Sequence, residues 1–163
     1  MSTRLMKMII SGTGHRPSKI GGFIIPNKTF NYICRTAEEI LIRESPSKII
    51  TGMALGWDTW LAQISYKLKI PFIAAVPFTG QESVWPAQSQ KLYRELLELA
   101  DEVVIVSDGI YSSRKMQLRN EWMVNHSDKV LAVWDGSNGG TGNCVRYAES
   151  VSKEIIRIDP WHD

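Results

Sequence analysis

The residues of this sequence best suited to chemistry are glycines and polar side chains that follow short apolar segments. The stretch KVLAVWDGSNGGTGNCVR, residues 129–146, is typical of a buried strand, a glycine-rich turn and a helix that begins near Gly142. Glycine permits positive φ angles and lets another group approach the backbone closely. A helix that begins after such a turn presents unpaired N–H groups and the positive end of its dipole. The pattern therefore predicts a phosphate or carboxylate site.

Similar turns follow two other apolar segments, residues 12–14 after the first predicted strand and residues 52–56 after the second. The carboxyl ends of parallel strands share one edge of a sheet, so we expect the three turns to meet at one crevice. For each turn taken alone, a tight connection that binds nothing remains the alternative. The residues predicted to contact a ligand from these turns are Gly12, Thr13, Gly14, His15, Arg16, Gly52, Met53, Ala54, Gly56, Asp135, Gly136, Gly139, Gly140, Thr141, Gly142 and Asn143.

Arg119 is the most informative charged residue. In a helix over residues 115–126, Arg119 and Asn120 fall within the apolar arc of the helix. A guanidinium on a core-facing stripe needs an anion, because an unpaired buried charge is very costly. Its partner is either a ligand phosphate, which suits the forked donors of arginine, or an internal carboxylate. The carboxylates considered for that partner are Asp58, Glu82 and Asp135.

The segment PFTGQESVWP, residues 77–86, combines aromatic, amide and acidic side chains. Phe78 and Trp85 are predicted to stack a base, and Gln81 to contact its edge. Asn120, beside Arg119 on its helix, is also predicted to contact the ligand. The alternative is a lid that packs on its own aromatic side chains.

Several other chemistries are not supported by the sequence. The glycine-rich turn is not a Walker A loop, because no Gly-Lys-Ser/Thr follows, and it does not match G-x-G-x-x-G in register. The histidines and cysteines show no metal-ligand spacing, so we expect no metal, and no G-x-S-x-G segment offers a serine nucleophile. Cys34 lies on an apolar helical stripe. Cys144 follows a helix start, which lowers a thiol pKa, although a small buried residue is the favoured role.

The elements that must position these residues alternate between short apolar runs and amphipathic segments. This alternation predicts an α/β fold, a three-layer, Rossmann-like open sheet, mostly parallel, with about six strands and helices on both faces. The predicted strands are Lys7–Ser11, Lys48–Thr51, Phe72–Val76, Glu102–Val106, Lys129–Trp134 and Glu154–Ile158. The predicted helices cover residues 28–44, 57–68, 87–99, 115–126 and 143–152, the fourth capped by Ser112 or Ser113.

Length and composition indicate one domain, residues 1–163. The net charge of +2, with no run of lysine or arginine, does not call for nucleic acid or a membrane as partner. Two cysteines make no disulfide framework, and neither a signal peptide nor a membrane span is evident, so we expect a cytoplasmic protein.

Five motifs together resemble the YpsA-like branch of the SLOG superfamily. They are SGTGHRP, TGMALGWD, PFTGQESVWP, RNEWMV and WDGSNGGTGNCVRYA, and the similarity extends over about residues 8–160. That superfamily groups the DNA-processing protein DprA with the LOG phosphoribohydrolases on a Rossmann-like fold. The resemblance implies a pocket for a nucleotide or a nucleotide-derived ligand.

The resemblance also bears on catalysis. LOG enzymes cleave the N-glycosidic bond of nucleoside monophosphates with a helical arginine, where Arg119 stands, and a glutamate just after the glycine-rich turn. Here residues 143–146 read Asn-Cys-Val-Arg, and no acid follows until Glu149. N-glycoside hydrolysis requires a carboxylate, so Asp58 or Glu82 would have to supply it from another turn.

The leading hypothesis is therefore a protein that binds a nucleotide or nucleotide-derived small molecule as a sensor, carrier or sequestering module. The enzymatic alternative is a nucleoside-monophosphate N-glycosidase with Asp58, Glu82 and Arg119 as catalytic residues. DNA binding, as in DprA, is the least favoured because the net charge is close to neutral. We expect no cofactor, and a homodimer or higher homo-oligomer.

Overall fold

The computed structural model describes residues 7–161, whose strands form one parallel sheet in the order β4-β3-β2-β1-β5-β6. The strand order reverses between β1 and β5. Strands β2, β3 and β4 extend the sheet on one side of β1, and strands β5 and β6 extend it on the other side. The elements are β1 Ile9–Gly14, α1 Lys28–Glu44, β2 Lys48–Thr51, α2 Trp57–Lys67, β3 Phe72–Val76, α3 Ala87–Leu99, β4 Glu102–Ile105, α4 Ser113–Asn125, β5 Lys129–Val133, α5 Gly140–Ser150 and β6 Glu154–Ile158, with short 3-10 helices at Pro17–Lys19 and Gln81–Val84.

Helices cover both faces of the sheet, which confirms the predicted three-layer α/β fold. Successive strand residues point to opposite faces, so Ile49 packs in the main core with α1, α2 and α3, whereas Ile50 packs on the other face with Met123 of α4. On that face α4 and α5 also pack against each other. Within residues 7–161, no helix combines the length and the apolar character that crossing a membrane requires.

Local sequence signals account for most of the element boundaries. Asn27 caps α1 by accepting a hydrogen bond from the backbone N–H of Phe30, and Ser112 caps α4 in the same way from Lys115. The predicted cap at Ser112 or Ser113 is thus confirmed as Ser112.

Three predicted details differ from the structure. β1 ends at Gly14 rather than Ser11, because its ladder with β5 continues to the pair Gly14 and Val133. α5 begins at Gly140, before the predicted start. The expectation that strands are covered on both faces is wrong for the edge strand β4, where Val103 and Ile105 are 43% and 52% exposed.

Two glycines of β1 make room for Trp57, the first residue of α2, whose side chain is 0% exposed. A Cβ atom added at Gly14 would lie 2.6 Å from Cγ of the Trp57 indole, and one added at Gly12 would lie 3.3 Å from its Nε1. Such distances leave no room for a methyl group at Gly14. The close packing brings the start of α2 directly against the end of β1.

We expect Gly14→Ala to lower the free energy of unfolding by about 1–3 kcal/mol, because the methyl group forces a rigid, buried indole to move. Urea denaturation measures this loss. Gly140→Ala is the matched control, since a Cβ there meets no atom within 4 Å; its stability should change by about 0.5 kcal/mol or less. Equal stability of the two variants would contradict this account of Trp57.

Candidate functional site

A cleft of about 480 Å³ lies over the carboxyl ends of β1 and β5, where the strand order reverses. Ligands bind at this point in open α/β sheets, and the volume lies within the range of small-molecule sites. The residues that line the cleft are Gly12, Thr13, Gly14, His15, Arg16, Ser18, Lys19, Ala54, Asp58, Tyr111, Ser113, Met116, Gln117, Arg119, Asn120, Asn138, Gly139, Gly140, Thr141 and Asn143.

The fold brings together the predicted residues from all three glycine-rich turns, but not every one of them. Those that line the cleft are Gly12, Thr13, Gly14, His15, Arg16, Ala54, Asp58, Arg119, Asn120, Gly139, Gly140, Thr141 and Asn143. Those that lie outside its lining are Gly52, Met53, Gly56, Phe78, Gln81, Glu82, Trp85, Asp135, Gly136 and Gly142.

Sequence reasoning missed the loop after β4 and the cation at Lys19. Tyr111 reaches the cleft from the connection between β4 and α4, and Ser113 and Gln117 reach it from α4. The available signal for Tyr111 was its position after a strand that ends at the same edge of the sheet as β1.

The residues of segment 77–86 do not line the cleft but pack against residues near it. Trp85 packs edge-on against Tyr93 with ring centroids 5.2 Å apart, and Phe78 is buried with its ring against Tyr111. Gln81 donates hydrogen bonds to the carbonyl oxygen of Gly52, at 3.2 Å, and to the hydroxyl of Tyr93. Phe78 and Trp85, the predicted aromatic wall, therefore do not line the cleft, whereas Tyr111 does.

Arg119 is a buried cation in the cleft lining, 4% exposed. Its Nη1 donates hydrogen bonds to the carbonyl oxygens of Gly52 and Ala75, and its Nε donates to Oδ1 of Asn120. Among residues 7–161, no carboxylate oxygen lies within 4.0 Å of the guanidinium, and Nη2 makes no hydrogen bond. Burial lowers the pKa of Arg119, and the charge of Asp58 opposes that shift. The guanidinium thus retains donor capacity beside the cleft.

Gly52 holds this arginine in place although it does not line the cleft. A Cβ atom at Gly52 would lie 2.6 Å from Cζ of Arg119. The glycine therefore serves close packing of the guanidinium against the end of β2, rather than contact with a ligand.

The first turn of α5 forms the opposite side of the cleft from α2. Gly139 is the N-cap residue, with a φ of 142° that favours glycine, and no side chain caps the helix. Because the N–H groups of the first turn have no partner inside the helix, those of residues 140–142 are available to an anion. Cys144 is 3% exposed, and burial raises its pKa to about 11.

His15 and Asp135 form a polar pair at the ends of β1 and β5. Nε2 of His15 lies 2.9 Å from Oδ1 of Asp135, and the same carboxylate accepts a hydrogen bond from the backbone N–H of Ser137. Hydrogen bonds from Ser137 and His15 hold the pKa of Asp135 well below its usual range. Burial lowers the pKa of His15, so its ring is neutral at physiological pH. Asp135 is thus the partner of His15, not of Arg119.

Asp58, the second residue of α2, is the acidic group of the cleft. Its side chain is 7% exposed, and Oδ2 accepts a hydrogen bond from the backbone N–H of Ala54 at 3.2 Å. Burial raises the pKa of Asp58, and the charge of Arg119 opposes this. Glu82, the other acid considered for catalysis, lies outside the cleft.

The fold defines a Rossmann-like protein with a cleft at the switch point of its parallel sheet. A family model described as the YspA SLOG family (YpsA) matches residues 10–158, and the chain belongs to that family. The uncharacterized SPbeta prophage-derived protein YoqJ of Bacillus subtilis is 37% identical in an alignment of length 141 that covers 76% of this chain and 82% of that protein. A UPF0398 protein of Halalkalibacterium halodurans is 29% identical in an alignment of length 162 that covers 94% of this chain and 84% of the relative. The predicted resemblance is confirmed.

Solved structures of low sequence identity share the fold. DprA from Helicobacter pylori, described for its single-stranded DNA binding mode, matches with a TM-score of 0.67 at 18% identity, over 92% of this chain and 64% of that one. DprA from Streptococcus pneumoniae matches with a TM-score of 0.67 at 14% identity, over 94% and 50% of the two chains. The molybdenum cofactor carrier protein of Chlamydomonas reinhardtii matches with a TM-score of 0.60 at 14% identity, over 93% and 75%. This chain spans less than two thirds of either DprA chain.

The pKa of His15 predicts a loss of stability in mild acid. Its folded-state pKa lies below the ordinary histidine value of 6.5, so the unfolded chain binds the proton first, and stability falls as the pH drops below about 6.5. We expect the free energy of unfolding, measured by urea denaturation, to fall less between pH 8 and pH 5 in His15→Gln than in the native protein. His126→Gln, which alters an exposed ring, should behave like the native protein. A native-like pH dependence in His15→Gln would contradict the assignment.

Proposed function

We propose that this protein binds a nucleotide or nucleotide-derived small molecule through its phosphate, at the carboxyl edge of the sheet. The observation that carries the proposal is Arg119, a buried guanidinium that lines the cleft and has no carboxylate of residues 7–161 at ion-pair distance. A charge removed from water requires compensation. Peptide carbonyls supply part of it, and an anionic ligand in the cleft would supply the rest.

The opposite wall of the cleft suits the same anion. The uncapped N–H groups at the start of α5 and the helix dipole attract a phosphate, and Arg16 and Lys19 add positive charge at the exposed rim. Arginine provides donors in a fixed fork that matches phosphate oxygens. In this arrangement the phosphate lies over residues 139–143, and the rest of the ligand extends toward Ala54 and Tyr111.

The family of this chain and one protein of the same fold support the proposal that the cleft binds a small molecule. The family is the SLOG family, and a protein of the same fold is described as a carrier of the molybdenum cofactor. A sensor, carrier or sequestering module for a nucleotide-derived compound is consistent with both relationships.

We expect Arg119→Met to weaken nucleotide binding by about tenfold or more, because a hydrogen bond to a charged group contributes about 1.5–3 kcal/mol. Methionine retains an apolar stem without leaving an unpaired charge. Isothermal titration calorimetry with the four ribonucleoside 5′-monophosphates, and with inorganic phosphate as competitor, measures the change. Arg94→Met, an exposed arginine of α3, is the matched control.

Gly140→Ala provides a second variant in case Arg119→Met unfolds. Its added methyl group meets no protein atom within 4 Å, so it should preserve the fold while it obstructs an anion at the start of α5. The proposal fails if both variants bind phosphate compounds as the native protein does. A loss of stability in Arg119→Met that matches its loss of affinity, together with native binding by Gly140→Ala, would make the arginine structural.

An N-glycosidase that acts on a nucleotide is the second candidate function, and Asp58 favours it. A buried carboxyl group with a raised pKa in the cleft is suited to proton transfer. The position after the glycine-rich turn, where LOG enzymes have glutamate, holds no acid. Asp58 would therefore have to act from the β2 side of the cleft.

Turnover separates the two functions. The protein is incubated with the nucleotide panel, and released base is measured by chromatography. Retained nucleotide without released base is the result we expect for a binding module. Released base that disappears in Asp58→Asn, but persists in Asp101→Asn at an exposed site in the loop before β4, would establish the enzyme instead.

A further inference from the structure

Asp58 differs chemically from the other residues of the cleft. Of the residues in the lining, all within the described chain, it alone carries a carboxyl group, whereas Arg16, Lys19 and Arg119 carry positive charge. Its Oδ2 accepts the hydrogen bond from Ala54, and its Oδ1 accepts none from residues 7–161. The side chain is 7% exposed. Oδ1 is not one of the fully buried polar atoms without a partner, so an accessible acceptor of Asp58 lies in the lining of the cleft.

The protein uses only part of the hydrogen-bonding capacity of this carboxyl group. Buried carboxylates usually have close cations and several donors. Within residues 7–161, Asp58 accepts one side-chain hydrogen bond, from Ala54, and Arg119 lies beyond ion-pair distance. Burial accordingly raises the pKa of Asp58. A ligand that brings hydrogen-bond donors would complete the environment.

The strand order indicates the distance between Asp58 and the start of α5, where the phosphate is proposed to bind. β1 pairs with β2 on one side and with β5 on the other, so Asp58 and the start of α5 follow strands separated by two spacings, roughly 10 Å. A phosphate at the start of α5 is attracted by the α5 amides and repelled by Asp58. The group next to the phosphate is then directed toward Asp58, and in a nucleotide that group is the sugar.

We propose that Asp58 accepts hydrogen bonds from the sugar hydroxyls of a ribonucleotide whose phosphate lies at the start of α5. This inference rests on the proposed function and adds the sugar to it. Hydroxyl groups are uncharged donors that a carboxylate accepts well. The base lies beyond the sugar, on the side where Tyr111 lines the cleft.

The test compares sugars while the phosphate is kept. Ribonucleoside 5′-monophosphates and their 2′,3′-dideoxy counterparts are titrated by calorimetry into the native protein, Asp58→Ala, Asp58→Asn and the control Asp101→Asn. We expect the native protein and Asp101→Asn to prefer the ribonucleotide by about tenfold or more. Asp58→Ala should bind the ribonucleotide and the dideoxynucleotide with equal affinity, while inorganic phosphate still competes.

Thermal unfolding distinguishes this role from a structural one. The folded-state pKa of Asp58 lies above the ordinary aspartate value of 3.8, so ionisation lowers stability as the pH rises from about 3.8 through the folded pKa. Asp58→Asn avoids that ionisation and should melt at the native temperature or higher at pH 7. A large drop in melting temperature, parallel to the loss of ribonucleotide affinity, would overturn the assignment.

The outcomes separate this inference from the proposed function. Equal affinity of the native protein for the two sugars, with competition by phosphate intact, overturns the role of Asp58 and leaves phosphate binding in place. A ribose preference that persists in Asp58→Ala does the same. The absence of binding by every nucleotide and by phosphate overturns both.

Discussion

The burial of the Arg119 guanidinium is the interaction on which the organisation of this protein depends. Removing an ion from water costs several kcal/mol even after the protein relaxes, and here peptide oxygens at the ends of β2 and β3 provide the compensation. That solution requires a glycine at position 52 and an α4 that begins at the same edge of the sheet. It also leaves part of the guanidinium directed at the cleft rather than at an acid.

The parts of the fold that depend on local signals could be predicted from the sequence. β2, β3 and β6 and the helices α1 and α3 have the expected bounds, because continuous apolar runs and an amphipathic stripe identify them. The end of β1 was missed because Gly12 and Gly14 are typical of a turn. Their pairing with β5, more than a hundred residues away, determines the strand.

In the candidate site, too, some residues could be predicted from the sequence and others depend on contacts between distant elements. Parallel topology alone was enough to bring the turns after β1, β2 and β5 together, and the helical position of Arg119 indicated its burial. The side chains of segment 77–86 could not be assigned from their types. Trp85 lies on Tyr93 because of how α3 packs, and Tyr111 lies in the cleft because of where β4 ends. Both depend on contacts between distant elements.

A shared fold does not transfer chemistry, because function depends on the site. The buried acid of this cleft comes from the start of α2 and not from α5. A ligand would therefore have its acceptor and its anion site on opposite flanks of β1.

The packing of Trp57 under β1 constrains how such a site can diversify. A larger residue at Gly12 or Gly14 would displace the Trp57 indole or its neighbour Leu61. The part of the cleft formed by β1 therefore keeps its shape. New ligand preferences would have to arise at the loop that carries Tyr111 and at Asn138 and Asn143, whose side chains border the opening. Directed evolution of selectivity would begin at those positions.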